Sequence, residues 1–180
     1  MRKNKLTSVS LVAVMTSIIC VIAPISIVTP LSIVPISLST FAIILSVYIL
    51  GLFPGLVSII LYIFIGFCGL PVFSGFTGGV QKVLGPTGGY IIGYIFLAIV
   101  SGIFIDKFEK IYMKAFGIIL GNTVLYIFGT IWLSHSLHLS LKEAFIIGVA
   151  PFIIGDFIKI ILAIYIGEKC KASLEKNNLL

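Results

Sequence analysis

Charge is scarce in this chain. Only 10% of its 180 residues are charged, against about 25% in an ordinary soluble domain. Hydrophobic residues make up 59% and the mean hydropathy is +1.25. That shortage excludes a soluble globular domain and predicts an integral membrane protein that crosses the bilayer several times. The hydrophilic stretches are the first five residues, a patch around 106–114 and the tail from 168. Residues 1–180 therefore read as a single membrane domain. Cysteine is equally thin. Cys20, Cys68 and Cys170 are scattered without a CxxC spacing, which excludes a disulfide framework or a cysteine metal centre.

Several motifs are missing too. No GxxxxGK[ST] loop is present, so the chain is not itself an ATPase, and any active transport draws on a partner or a gradient. Neither GxSxG nor HExxH occurs, so neither an enzyme nor a cofactor is expected. His135 and His138, in IWLSHSLHLS, have no acidic or cysteine neighbour. Zinc asks for at least three protein ligands, so these read as interfacial histidines and no metal site is expected.

What is present is a succession of apolar runs. A spanning helix needs about 20 apolar residues, and six candidates appear at 6–28, 36–53, 54–70, 87–105, 111–133 and 141–167. The predicted fold class is an all-α membrane protein of six transmembrane helices, with a long ordered external loop between the third and fourth. The first run exceeds the roughly 7–15 apolar residues of a signal peptide, so it reads as an uncleaved helix. Gly51 to Gly55 forms the one break between the second and third runs and predicts a tight turn. The sixth run is too long for one upright span, and Pro151 is placed to kink it.

Net charge is +6, but the cations flank the apolar runs instead of forming the soluble basic face of a nucleic-acid binder. Arg2, Lys3 and Lys5 precede the first run. Lys107, Lys110 and Lys114 lie between the fourth and fifth, and Lys169, Lys171 and Lys176 follow the sixth. Six spans put all three groups on one side, hence both termini in the cytoplasm and the protein in the cell membrane. Recurrent glycine pairs (Gly51/Gly55, Gly89/Gly93, Gly117/Gly121) permit close helix approach, read as packing within the chain.

This topology leaves 71–86 outside. The surrounding sequence GLPVFSGFTGGVQKVLGPTGGY holds seven glycines and two prolines but little charge. Such a loop is expected to fold back over the bundle, since backbone at membrane depth must be buried or line a cavity. Asp156 and Lys159 are the charged residues of PFIIGDFIKIILAIYIG. A charge in hydrocarbon costs about 2.5–3.5 kcal/mol on insertion scales. At a spacing of three both side chains project from one helix face. An intramembrane ionisable pair is a ligand-site hypothesis, because buried pairs stabilise weakly.

The stretch GLPVFSGFTGGVQKVLGPTGGYIIGY at 69–94 resembles the signature region of the BioY family, the biotin-specific S components of energy-coupling-factor (ECF) transporters. The likeness extends to LYIFIGFCGLPVF before it and to PFIIGDFIK in the last helix. Two features depart from the family pattern. Small residues at Ala13 and Ser17 stand where an AxxxA docking pattern is common, and Pro35 to Thr40 lacks the glutamine of PxTxQT.

The resemblance implies capture of biotin from outside. It also implies association with a transmembrane coupling protein and two cytoplasmic ATPases, although some family members are proposed to transport alone. For the site, the expectation is that the cyclic urea of biotin meets Asp156 and Lys159. Phe73 and Tyr90 would pack the bicycle. The valerate would lie toward the loops, near Gln81, Lys82 and backbone N–H groups, with Gly78 and Gly79 counted among the binding residues. A pose with the carboxylate against Lys159 is the rival.

Overall fold

The computed structural model describes residues 2–27 and 34–177. The described chain is helical apart from one small β pair. Helix α1 (Arg2–Ile22) leads to β1 (Ser26–Ile27), β2 (Ile36–Ser37), α2 (Ser39–Leu50) and α3 (Leu52–Phe67). The short α4 (Val80–Leu84) precedes α5 (Gly88–Lys107), α6 (Ile111–Leu137), α7 (Leu141–Gly148) and α8 (Ile153–Lys176). β1 and β2 are antiparallel, with Ser26 opposite Ser37 and Ile27 opposite Ile36.

Helices α5 and α6 are each long and apolar enough to cross a membrane. Together α7 and α8 make a third such unit, bent by 51°. The bend falls at 149–152, where Pro151 withholds a backbone donor, as its sequence position predicts. The apolar helices Leu6–Ile22, Ser39–Leu50 and Leu52–Phe67 are shorter than a full span. α2 starts at Ser39, later than the run at 36 predicts, because Ile36 and Ser37 pair with β1.

Nearly all of α2 is buried, from Ser39 through Leu50 with Phe41 partly open. A helix that is apolar all round belongs at the centre of a bundle, and α3, α5 and α8 pack around it. Gly51 alone separates α2 from α3, at φ 81°. Its neighbour Leu52 donates its backbone N–H to the Asp106 carboxylate at 2.9 Å, satisfying an orphan donor at the start of α3. The glycine pairs pack within the chain. A Cβ on Gly55 would meet Val47 Cα at 2.8 Å, and one on Gly93 would meet Leu125 Cδ1 at 2.7 Å.

The segment between α3 and α5 is stitched down by backbone bonds. Gly79 N–H donates to Gly66 O at 2.7 Å and Gly75 N–H to Pro24 O at 3.0 Å. Trp132 of α6 clamps it from the side, its indole N–H donating to Gly85 O at 2.9 Å. This loop end of the bundle holds an aromatic-lined cavity. At the opposite end Tyr48 of α2 and Lys114 of α6 both donate to Glu168 Oε1 of α8, at 2.5 and 2.9 Å.

Candidate ligand cavity

Asp156 lies in the first turn of α8, just past the break. A carboxylate there faces the positive end of the helix dipole, which favours its charge. Lys159 follows one turn later, and its Nζ is 2.8 Å from Asp156 Oδ1. Both are buried, at 4% and 8% exposure, so a cation here requires strong partners.

Those partners come from three elements. Lys159 also donates to the Ser37 carbonyl of β2 at 2.7 Å. Thr40, in the first turn of α2, donates to Asp156 Oδ1 at 3.1 Å. Tyr126, midway along α6, donates to Asp156 Oδ2 at 2.5 Å. The pair is therefore a junction of β2, α2, α6 and α8.

The junction forms one wall of a cavity of about 570 Å³, counting its open mouth. The other walls are aromatic. Phe73 reaches in from the loop, meets Tyr62 edge to face at 5.6 Å, and fills the place where a Gly66 side chain would stand. Tyr90 and Tyr94 of α5 complete the slot. The Tyr90 hydroxyl is already committed, donating to Gly148 O at 2.9 Å, so its ring face is what the cavity sees. An aromatic slot ending in one acceptor and one cation suits a flat, mostly apolar molecule with a compact polar head.

The sequence-predicted residues thus divide. Asp156, Lys159, Tyr90 and Phe73 come together around the cavity. Gly78, Gly79, Gln81 and Lys82 do not line it; the loop contributes Ser74 and Thr87 instead. Gln81 faces outward on α4. Half-burial holds the Lys82 ammonium below the usual lysine pKa. Gly78 is constrained by packing, since a Cβ there would sit 2.1 Å from Leu70 O. Sequence reasoning missed Thr40, Tyr126 and Ser37. Tyr126 lies midway along α6, far from either helix end. His138 ends α6 in a left-handed turn at φ 53°, and no cluster of potential metal ligands occurs among the described residues.

The model of the BioY family matches residues 1–176. The chain belongs to the BioY family. A Pyrococcus horikoshii protein described as a probable biotin transporter BioY is 37% identical over 169 residues, covering 94% of this chain and 99% of the relative. The Thermotoga maritima biotin transporter BioY is 37% identical over 158 residues, covering 88% and 92%. Among solved structures, the S-component for biotin from an ECF-type ABC transporter superposes with a TM-score of 0.89. Its sequence is 28% identical, and the match covers 96% of this chain and 94% of that one. The family match spans both the loop between α3 and α5 and the α8 segment that carries the pair.

Proposed function

We propose that this chain captures biotin and serves as the substrate-binding S component of an ECF-type transporter. The observation that carries the reading is the Asp156–Lys159 pair at the end of an aromatic cavity. A carboxylate has about four lone-pair sites and an ammonium three N–H donors. Asp156 already accepts three bonds and Lys159 already makes two. One acceptor site on Oδ2 and one N–H remain for a ligand. A cyclic urea matches them, offering an N–H beside a carbonyl. A ligand carboxylate against Lys159 would set an acceptor-only anion beside the free lone pair of Asp156, and burying that second negative charge is costly. The bicycle then packs on Phe73 and Tyr90. The valerate points to the mouth, toward the segment that carries Gly78, Gly79, Gln81 and Lys82.

In this reading α1, α2, α3, α5, α6 and the bent α7–α8 unit are the six spans. The loop end faces outside, and both termini are cytoplasmic. The cations at Lys107, Lys110, Lys169, Lys171 and Lys176 support that orientation. Energy comes from a membrane coupling protein and two cytoplasmic ATPase subunits.

Equilibrium binding of labelled biotin to the purified chain tests the function. Saturable binding that Asp156→Asn weakens tenfold or more is expected, the scale of a charge-assisted bond. Absence of biotin binding by the folded wild type would overturn the reading. Co-purification with ATPase subunits distinguishes dependence on an energy module from transport by the chain alone.

A further inference from the structure

We propose that Tyr126 is the positioning residue of this site: its hydroxyl pins Asp156 Oδ2 and thereby sets the cavity's preference for a neutral ureide head over a cationic one. The inference rests on the proposed biotin site and concerns a residue that does not read the ligand itself.

Two observations carry it. The first is the bond. Tyr126 donates to Oδ2 at 2.5 Å, while Lys159 and Thr40 both sit on Oδ1. Oδ2 is thus the oxygen with a lone pair left for a ligand, and Tyr126 is its fixed donor. The second is position. Tyr126 and Asp156 also border a separate apolar groove between α6 and α8, walled by Ile119, Phe145 and Phe157. Their contact is the partition between that apolar groove and the ligand cavity. Without the phenol O–H, Oδ2 would have no donor on its α6 side and two lone pairs free to turn toward the cavity.

Lys159 and Tyr126 do different work on the carboxylate. Lys159 neutralises it, and Tyr126 consumes acceptor capacity without bringing charge. With both in place, the cavity offers one acceptor beside one cationic donor, which complements a urea edge. Remove the tyrosine hydroxyl and the acceptor side grows while the donor side stays the same. The balance then moves toward ligands that only donate, above all a guanidinium. Tyr62, Tyr90 and Tyr94 also border the cavity, and none of them bonds Asp156 among the described hydrogen bonds.

The experiment uses the purified full chain and two probes, biotin and 2-iminobiotin, whose cyclic guanidine replaces the urea. Wild type is expected to prefer biotin. Tyr126→Phe keeps the ring and should weaken biotin about tenfold, because the carboxylate is no longer held in the one orientation that pairs with the urea edge. The same change should leave 2-iminobiotin unchanged or tighter, so that the affinity ratio moves at least tenfold. A role in packing alone would weaken both probes alike, and that result overturns the proposal. A second arm compares Asp156→Asn with Asp156→Asn/Tyr126→Phe. Biotin affinities equal within about twofold are expected, because the tyrosine acts through the carboxylate. A further tenfold loss in the double variant would show direct contact with the ligand and also overturn it. A Tyr126→Phe chain that fails to fold counts against the proposal as well, since the change is isosteric. Failure of wild type to bind biotin strikes the functional reading instead.

Discussion

Lys159 donates to the Ser37 carbonyl at 2.7 Å, so a side chain of the last helix holds the backbone of β2. The same ammonium neutralises Asp156. Removing it therefore has two consequences. Lys159→Met leaves a buried carboxylate unpaired, which costs about 3–5 kcal/mol, and releases the 34–38 segment. Melting in detergent should show a large loss of stability. Asp156→Asn/Lys159→Met should recover most of that stability while remaining unable to bind biotin. Full recovery of binding in the double variant would remove the pair from the site.

The ion pair at the opposite end of the bundle should behave differently. Lys114 and Glu168 are 2.9 Å apart, but the Glu168 side chain is 43% exposed. Water can solvate the carboxylate once its partner is gone, and exposed pairs contribute about 0–1 kcal/mol. Lys114→Met is expected to shift the melting temperature only slightly and to leave biotin affinity within about twofold. A collapse comparable to that of Lys159→Met would mean that this end is sealed from water.

Much of the architecture was legible in the apolar runs, because hydropathy and length govern where helices lie in a bilayer. The break at Gly51 and the kink at Pro151 were legible for the same local reason: each changes what the backbone can do. The α8 pair stood out because charge is expensive there. Thr40 and Tyr126 were not legible. A hydroxyl in an apolar helix costs little if it bonds its own helix, as Thr123 does to Ile119 O at 2.9 Å. Nothing in the sequence separates that use from a bond across the bundle. Glycine content marked the loop as ordered, but not that Gln81 and Lys82 would stand on α4, off the cavity wall.

Thr40 offers a test of that distinction. Its hydroxyl bonds Asp156 Oδ1 across 3.1 Å, sharing that oxygen with Lys159. Thr40→Val preserves shape and deletes the donor. Since Lys159 still covers Oδ1, the expected cost is about 1 kcal/mol, or a severalfold weaker affinity by calorimetry, with the melting temperature moving by a few degrees. Thr123→Val, whose hydroxyl bonds within its own helix, should leave biotin affinity unchanged. Equal effects of the two substitutions would deny Thr40 any part in the site.

The tightest steric test concerns Tyr90. Its ring lies against Gly129 of α6, where an added Cβ would come within 2.3 Å of Tyr90 Cε1. The hydroxyl is anchored to Gly148 O, and a Cβ on Gly148 would come within 2.2 Å of the Tyr90 hydroxyl oxygen. The ring has no slack on either side, so Gly129→Ala must drive it toward the cavity. Overpacking of this kind costs about 1–3 kcal/mol, and the displaced ring occupies the space assigned to the bicycle. Biotin affinity should fall by at least tenfold. Gly155→Ala is the control: its Cβ would meet nothing within 4 Å, although it lies beside Asp156. That variant should bind as wild type does, with unchanged or slightly raised stability from its better helix propensity. If Gly129→Ala binds normally and Gly155→Ala does not, the ligand lies outside the Phe73–Tyr90 slot.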